Sequence, residues 1–326
     1  MGYQEVKFPV GTYILVTGGA GFIGSNICDA LIEKGVKVIC LDNLSTGKKN
    51  NIKHLMRNPN FKFIKGDVKS LKTCLKASKH VDYIIHQAAW GSVPRSIEMP
   101  LFYERNNVLG TMNIFEAARI NNIKKVVYAS SSSVYGDSAV LPKKEGIEGK
   151  VLSPYALTKK VDEEYSRLFY KLYGVKSVGL RYFNVFGRRQ DPNGQYAAVI
   201  PKFVSACIRN EVSFINGDGS YSRDFTYIDN VIEANLKALV NSDEKSYGRA
   251  FNIAYGGQVT IKKLYDCIAN LLGCDLPPEF RENRPGDIPH SNADIFDARK
   301  FLNYDPSYSF EDGIKLAIDW YKNNIS

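Results

Sequence analysis

Long apolar runs are missing from this 326-residue sequence. No segment reaches the roughly 18 to 20 consecutive apolar residues that a membrane-spanning helix requires. We therefore expect no membrane partner. The opening residues, Met-Gly-Tyr-Gln-Glu-Val-Lys, also lack the charged start and apolar stretch of a secretory signal. These two features predict a cytoplasmic protein.

Cysteine and histidine are scarce, with six and four residues. The cysteines form no Cys-x-x-Cys pair and have no histidine partner nearby; they stand at positions 28, 40, 74, 207, 267 and 274. We therefore expect neither a disulfide scaffold nor a metal site. Basic runs and nucleic-acid motifs are absent too, although the net charge is +9. Lysines spread along the whole chain indicate a solvated surface with some attraction for anionic nucleotides, and no nucleic-acid partner.

Apolar residues make up 44% of the chain, which is enough for a large core. Short apolar runs alternate with amphipathic stretches through the first half. They predict strands at 13–17, 37–41, 61–65, 83–86, 126–130 and 177–182, and helices at 23–33, 101–121 and 154–173. Such alternation is typical of an α/β fold, a doubly wound parallel sheet of Rossmann type that binds its ligand beyond the carboxyl ends of the strands.

The alternation breaks near Val185, where the polar, turn-rich segment 187–194 follows. Mixed short strands and helices come next, and we interpret them as a smaller α/β domain that binds substrate as a lid. The apolar segment 251–254 reads as a strand that returns to the main sheet. We therefore predict a Rossmann domain of residues 1–184 plus about 225–258, and a lid of about 185–224 and 259–326.

A glycine turn joins the first predicted strand to the first helix, in the order Gly18-x-x-Gly21-x-x-Gly24. Glycines let the backbone approach a phosphate, and the helix that follows offers free amides and its positive dipole end. Asp42 follows the second strand, where a carboxylate can accept both ribose hydroxyls and repel a 2′-phosphate. It could also be an ordinary turn residue. The pattern favours NAD over NADP, with Asp67 placed for the adenine.

Tyr155 and Lys159 lie one helical turn apart on a helix that Ser153-Pro154 should begin. A phenol ordinarily ionises with a pKa of about 10, and a nearby ammonium together with a positive nicotinamide favours the phenolate. Such a pair can take a proton from a substrate hydroxyl while hydride leaves the same carbon. Before it stands the serine run 130–133, in which strand alternation favours Ser132 as the proton relay, with Ser131 second.

With these elements the chain resembles the extended short-chain dehydrogenase/reductases, and among them the nucleotide-sugar 4-epimerases. His86-Gln-Ala-Ala89 and Tyr182-Phe-Asn-Val-Phe-Gly187 look like further family segments. The resemblance implies NAD, a UDP-sugar substrate and a homodimer built on helices 101–121 and 154–173. It implies cofactor contacts from Gly18, Gly21, Phe22, Ile23, Gly24, Asp42, Asn43, Ser45, Thr46, Gly47, Asp67, Val68, Gln87, Ala88, Ala89, Asn106, Tyr155, Lys159 and Tyr182.

The segments 90–95, 187–194 and 290–294 extend this resemblance to the subgroup that prefers N-acetylated sugars. In the wider family a bulky residue near the position of Ser291 narrows the sugar pocket, and a serine leaves room for a 2-acetamido group without excluding a smaller sugar. Two arginines, Arg223 and Arg284, suit a diphosphate. The implied substrate contacts are Gly91, Ser92, Val93, Ser131, Ser132, Ser133, Tyr155, Asn184, Ala198, Val199, Phe214, Asn216, Arg223, Arg284, Asp287 and Ser291.

The expected reaction is a C4 epimerisation through a transient 4-keto sugar. A 4,6-dehydratase starts with the same oxidation but typically carries an Asp-Glu pair where this chain has only serine hydroxyls at 131–133. A UDP-glucuronate epimerase or decarboxylase is a second alternative. A cofactor-sensing scaffold on the same fold is a third, although it would have little need for the Tyr155 and Lys159 pair.

Overall fold

Parallel strands form the centre of the protein, for which a computed structural model describes residues 2–192, 198–283 and 288–324. The strands of these residues, in chain order, are β1 (Tyr13–Thr17), β2 (Lys37–Asp42), β3 (Phe61–Lys65), β4 (Tyr83–His86), β5 (Lys125–Ser131), β6 (Ser177–Tyr182), β7 (Val185–Phe186), β8 (Phe214–Asn216), β9 (Ser222–Arg223), β10 (Thr226–Tyr227), β11 (Arg249–Ile253), β12 (Val259–Thr260), β13 (Glu279–Arg281) and β14 (His290–Ser291). Seven of them form one sheet in the order β11-β6-β5-β4-β1-β2-β3, parallel throughout.

Helices cover both faces of this sheet. The helices of the described residues, including those that pack elsewhere, are α1 (Phe22–Glu33), α2 (Leu71–Ala77), α3 (Val93–Glu98), α4 (Pro100–Tyr103), α5 (Leu109–Ile120), α6 (Pro154–Tyr173), α7 (Val199–Ile208), α8 (Ile228–Val240), α9 (Ile261–Leu272), α10 (Phe296–Leu302) and α11 (Phe310–Asn324). A π-helical segment, Glu104–Val108, joins α4 to α5.

Strand β1 shows why the sheet is covered on both sides. Its Ile14 and Val16 pack into one hydrophobic cluster with helices α1 and α8, while Leu15 between them packs with Phe115 and Phe169 on the other face. Successive side chains of a strand point to opposite faces, so a strand buried on both sides must be apolar throughout. The apolar runs at β1 and β4 are such doubly buried strands.

Three small sheets stand apart from the central one. They pair β7 with β10, β8 with β13, and β9 with both β12 and β14. Helices α7, α9 and α11 pack among them, and their buried residues, such as Phe203, Leu264 and Ile314, are continuous with the cluster under β1. One apolar core therefore extends from the central sheet to the part of the chain that carries the short strands.

The predicted fold class, a Rossmann-type parallel α/β sheet, is confirmed. Four strands have the predicted bounds, β2 and β5 extend slightly beyond theirs, and β11 joins the main sheet beside β6 as expected. The predicted helix 101–121 is correct as a continuous helical stretch, but its middle turn is π-helical. None of the helices within the described residues is long and apolar enough to span a membrane.

Candidate active site

The glycine turn follows β1 and leads directly into α1. Gly18 has a positive φ of 64°, and a Cβ atom there would lie 2.7 Å from the backbone nitrogen of Ala88. Helix α1 begins after Gly21 without any side-chain cap. The first amides of a helix have no intrahelical partner, so these amides face the cavity described next with their hydrogen-bonding capacity available. This is the geometry that binds a phosphate.

Asp42 ends β2 beside that turn and is buried. Its Oδ2 accepts from the amide of Ala20 at 2.9 Å, and its Oδ1 accepts from the amide of Leu44 at 2.7 Å. Burial raises the pKa of this carboxyl, and the two amide bonds oppose the rise. The carboxylate is thereby fixed at the cavity wall. Gly47, predicted as a cofactor contact, packs against this carboxylate and does not line the cavity.

A cavity of about 440 Å³ runs from the glycine turn along the carboxyl ends of the strands. Apart from Gly47, every residue predicted to contact the cofactor lines it. Its walls also contain Gly91, Ser131 and Asn184, which were predicted for the substrate, and Leu41, Gly66, Trp90, Ala129, Ser130 and Val185, which were not predicted. A cleft of this size at this edge of the sheet is typical of a bound nucleotide cofactor.

Tyr155 and Lys159 both reach this cavity from α6. The helix begins as the sequence indicated, because the Ser153 hydroxyl accepts from the amide of Ala156 at 3.1 Å and a proline occupies the first turn. Lys159 is buried, and its Nζ donates to the carbonyl oxygen of Ala129 at 2.9 Å. The bond holds the ammonium against the end of β5, with Tyr155 one turn away on the same helix.

Within the serine run, Ser131 lines the cavity, whereas Ser132, the residue predicted as the proton relay, does not. The Ser130 hydroxyl donates to Glu163 at 2.5 Å and is thereby occupied. The Ser131 Oγ accepts from both the amide and the hydroxyl of Ser133, at 3.1 and 2.9 Å. A hydroxyl that already accepts two bonds keeps its own hydrogen for a ligand. Ser131, at the end of β5, is therefore the serine placed to donate into the cavity.

The π-helical segment Glu104–Val108 also contributes to the wall of this cavity. Within it, Asn106 lines the cavity. The Asn107 side chain accepts from the Trp90 amide at 2.8 Å and donates to the Trp90 carbonyl at 3.1 Å. Its amide also donates to Thr158 of α6 at 3.2 Å. Asparagine is a poor helix former, so the Asn-Asn pair inside a predicted helix was the sequence signal for this irregular turn.

Tyr182 lies at the end of β6, deep in the same cavity. Its hydroxyl accepts from Gln87 Nε2 at 3.0 Å and from Asn235 Nδ2 at 2.9 Å. Burial raises the pKa of the Tyr182 phenol, which stays neutral as a result. These bonds hold the Tyr182 side chain in place in the cavity wall. Asn235, from α8, was missed by sequence reasoning because only the tertiary fold brings it to this strand end.

A second cavity, of about 450 Å³, opens next to the first among the small sheets. Five predicted substrate contacts line it, namely Asn184, Val199, Phe214, Asn216 and Arg223, together with residues that were not predicted, including Lys202, Tyr221 and Arg281. The Arg281 guanidinium stacks on the Phe214 ring. Asn184 lines both cavities. An elongated ligand could therefore extend from one cavity into the other past this residue.

Other predicted substrate residues lie elsewhere. Ser92 caps α3, Val93 is the first residue of α3, and Ala198 precedes α7. None of these three residues lines either cavity. Ser133 supports Ser131 from outside the cavity. Ser291 pairs with Arg223 in the register of β14 and β9, also outside both cavities. Arg284 and Asp287 fall outside the described residues.

Comparison with known proteins agrees with this fold and site. The model of the NAD dependent epimerase/dehydratase family matches residues 14–254. The chain belongs to this family, and NAD is its cofactor. Both the resemblance seen in the sequence and the predicted cofactor are confirmed at this level.

Three relatives show the range of substrates within the family. The UDP-glucose 4-epimerase of Mycolicibacterium smegmatis is 36% identical over 95% of this chain and 98% of its own length. The UDP-N-acetylglucosamine 4-epimerase of Methanobrevibacter ruminantium M1, solved with UDP-N-acetylmuramic acid, is 41% identical with a TM-score of 0.91, covering 97% of this chain and 99% of that one. The UDP-glucuronic acid 4-epimerase of Bacillus cereus, solved with UDP-glucuronic acid and NAD, is 31% identical with a TM-score of 0.87, covering 96% and 99%.

The residues present fit NAD. The uncapped start of α1 offers amides to a pyrophosphate, and the fixed carboxylate of Asp42 offers acceptors to the ribose hydroxyls beyond it. A negative carboxylate at that position also disfavours a 2′-phosphate. Tyr155 and Lys159 line the same cavity.

Proposed function

We propose that this protein is a UDP-hexose 4-epimerase that interconverts UDP-N-acetylglucosamine and UDP-N-acetylgalactosamine. One observation carries the proposal: Asn184 lines both the cavity that holds Tyr155 and Lys159 and the neighbouring cavity with Phe214 and Arg223. A sugar nucleotide with its hexose beside Tyr155 and its uridine beside Phe214 would span the two.

The chain's own groups account for the proton transfers. Tyr155, as phenolate, takes the proton from the C4 hydroxyl, and the free hydrogen of Ser131 holds the same oxygen during the transfer. Lys159 supplies the positive charge that favours the phenolate. NAD, when bound, takes up hydride from C4 and gives it back. Net oxidation of the sugar is zero, so the reaction needs no other redox partner.

The second cavity would hold the nucleotide. Phe214 offers a face for stacking of the uracil, Asn216 a polar contact, and Arg223 charge for the diphosphate. We propose that residues of about 185–224 and 259–326 form this substrate-binding part, and that the 4-keto sugar rotates between the two parts before its other face is reduced. Tyr155 then returns the proton to the inverted C4 oxygen.

The preference for a 2-acetamido sugar rests on Ser291 and on similarity. Ser291 lies directly beside Arg223 in the β14–β9 register, and its small side chain leaves space that a larger one would fill. A relative with 41% identity is a UDP-N-acetylglucosamine 4-epimerase. UDP-glucose and UDP-galactose remain compatible substrates, because a site with room for the larger group also admits the smaller hydroxyl.

A direct assay separates this activity from its alternatives. Purified protein is incubated separately with UDP-N-acetylglucosamine, UDP-glucose and UDP-glucuronate, and the products are resolved by chromatography. We expect the C4 epimer of the first sugar to form fastest. Faster conversion of UDP-glucuronate would replace the proposed substrate, and release of water from the sugar would indicate a dehydratase. Absence of any C4 epimer would refute the proposed function.

Variants of two tyrosines on α6 then test the chemistry. Tyr155→Phe should retain NAD while losing about 10²-fold or more of the rate, the usual contribution of a proton-transferring group. Tyr173→Phe is the matched control, since this tyrosine is exposed at the far end of the same helix, and it should keep wild-type activity. An unchanged rate in Tyr155→Phe would remove Tyr155 from the mechanism, leaving a binding protein as the alternative.

We further propose a cytoplasmic homodimer. The helices that the family resemblance assigns to the dimer carry exposed leucines, among them Leu101 on α4 and Leu157, Leu168 and Leu172 on α6. A second copy would bury this apolar surface. A Leu101→Glu, Leu172→Glu variant should elute as a monomer in light-scattering chromatography while the wild type elutes as a dimer. A monomeric wild type would contradict this assembly.

A further inference from the structure

An acidic side chain lies directly behind Lys159. Asp162, one turn further along α6, accepts from Lys159 Nζ through its Oδ2 at 3.3 Å. The two side chains are 1% and 3% exposed. The other oxygen of the carboxylate, Oδ1, has no hydrogen-bond partner within the part of the chain that the structure describes. A buried ion pair with an unsatisfied oxygen costs stability rather than adding to it, so packing alone gives no reason for an acid at this position.

A chain of hydrogen bonds leads from the cavity wall towards this acid. The amide of Ala88 donates to Thr17 Oγ1 at 3.3 Å, and the Thr17 hydroxyl is hydrogen-bonded to His86 Nδ1 at 2.6 Å. Burial and the charge of Lys159 lower the pKa of His86 to about 3, so its ring is neutral. Its Nε2 is hydrogen-bonded to Thr111 Oγ1 at 3.1 Å, so that in the neutral ring one nitrogen donates and the other accepts.

The last hydroxyl of this chain interacts with Asp162, since Thr111 stabilises the ionised carboxylate. The series thus leads from the cavity wall to Thr111 on α5, which lowers the pKa of Asp162, while Lys159 on α6 donates to the same carboxylate. Groups of two helices therefore act on this one acid.

The charged and titratable groups around Asp162 come from several elements. Lys159 and Glu163 lie on α6 itself, and Glu163 is paired with Arg181 of β6 at 2.8 Å. The Tyr128 phenol of β5 is buried nearby, and burial raises its pKa. Burial likewise raises the pKa of Asp162 to about 7, although Lys159 and Thr111 both oppose the rise.

We propose that Asp162 is a positioning residue that holds the ammonium of Lys159 and, through its own charge, sets the pH at which Tyr155 ionises. An ionised Asp162 balances the charge of Lys159 and weakens its effect on the phenol. A protonated Asp162 leaves the ammonium uncompensated, which favours the phenolate of Tyr155. The inference rests on the proposed function in so far as Tyr155 and Lys159 are the reacting pair.

The first test measures ionisation of Tyr155 without turnover. The ultraviolet absorbance of NAD-loaded protein is titrated against pH, and the signal of Tyr155 is isolated by subtracting the titration of Tyr155→Phe in the same background. In Asp162→Asn we expect the midpoint to fall by about one pH unit, the size of effect that a neighbouring charge has. Glu164→Gln is the matched control, because this carboxylate is exposed on the same helix, and its midpoint should equal that of the wild type.

The second test uses kinetics. In Asp162→Asn the acidic and basic limbs of the pH profile of kcat should both move to lower pH, because Tyr155 and Lys159 both lose the influence of a negative charge. Asp162→Glu, which restores that charge, should return the profile towards the wild type. A purely structural role would lower thermal stability and expression without moving either limb.

Thr111→Val keeps the inference testable should Asp162→Asn fail to fold. This variant removes the hydroxyl that stabilises ionised Asp162. It leaves the side chains of Tyr155, Lys159 and Asp162 in place. Asp162 would then stay protonated to a higher pH, and the Tyr155 midpoint should shift in the same direction by a smaller amount. Unchanged midpoints in the folded variants would overturn the proposal. A wild type that epimerises no UDP-hexose would refute the proposed function instead, while the absorbance titration would still report on Asp162.

Discussion

A Cβ atom on Gly24 would lie only 2.2 Å from the carbonyl oxygen of Gly18. The first turn of α1 therefore packs directly onto the glycine turn that precedes it. Real Cβ atoms do not approach a backbone oxygen so closely, so this contact exists only with glycine at position 24. The start of the helix and the cofactor cradle are in this way held together as one rigid unit.

Gly24→Ala should accordingly unfold this unit. We expect a loss of about 3 kcal/mol in the free energy of unfolding, the upper range for overpacking, together with loss of NAD binding. Gly21→Ala is the contrasting variant, because its Cβ would meet only Gly18 O, at 3.1 Å. It should keep the wild-type melting temperature and bind NAD about tenfold more weakly, its methyl group facing the pyrophosphate site. Calorimetry and NAD titration measure both quantities; equal melting temperatures for the two variants would contradict the packing argument.

The serine run gives a second prediction. Ser131→Ala should lower kcat by about 10²-fold with little change in KM, since its hydroxyl would act mainly on the reacting oxygen. Ser132→Ala, which changes a neighbouring hydroxyl outside the cavity, should retain the wild-type rate. Steady-state kinetics on the two variants decides between these residues. A large effect at Ser132 and none at Ser131 would restore the assignment made from strand alternation.

Ser291 gives a third prediction, on substrate choice. Ser291→Tyr should lower kcat/KM for UDP-N-acetylglucosamine by about 10- to 100-fold relative to UDP-glucose, which is the discrimination that shape alone provides. Ser291→Ala keeps the side chain small and should leave the ratio unchanged. Both sugars compete in one reaction mixture, so the ratio is read directly from the products. An unaltered ratio in the tyrosine variant would place Ser291 away from the 2-acetamido group.

The fourth prediction concerns stability below neutral pH. His86 has a pKa of about 3 in the folded protein, against 6.5 when unperturbed, so the unfolded chain binds a proton in this range and the native state does not. The stability that the folded protein gains from keeping His86 neutral is fully present above pH 6.5. It is lost as the pH falls towards 3. Between pH 6.5 and 4 the loss amounts to about 3 kcal/mol.

The variant His86→Gln isolates the contribution of His86 to the free energy of unfolding. Asp162 acts in the opposite direction, because its raised pKa of about 7 adds stability as the pH falls from 7 towards 4. Because Asp162 is present in both proteins, its contribution cancels in the difference in unfolding free energy between wild type and His86→Gln. This difference should shrink by about 3 kcal/mol from pH 7 to pH 4 in denaturant titrations. A difference that stays constant with pH would show that His86 is not buried in its neutral form.

Local patterns accounted for most of the fold. The apolar residues of β1, β3, β4 and β6 identified these strands with their observed ends. Strands β1 and β4 are largely buried on both faces and need continuous apolar residues, whereas β3 lies at the sheet edge, alternates phenylalanine with lysine and is only partly buried. Ser153 and Pro154 correctly marked the start of α6. The π-helical segment was missed since it depends on the contacts of Asn107 with Trp90 and Thr158, which join three separate parts of the chain.

The sequence by itself determined the parallel α/β sheet, the NAD cofactor and the placement of Tyr155 and Lys159 on one helix face, because each depends on spacings within a single strand, turn or helix. Only the tertiary structure showed that, within the serine run, Ser131 rather than Ser132 lines the same cavity as this pair. Strand β5 continues one residue past its predicted end, to Ser131, before the chain turns. The residue at which a strand ends therefore determines which side chain still follows the alternation of the strand. The same holds for Asp162, whose burial behind Lys159 arises from the packing of α5 and α6 on the sheet.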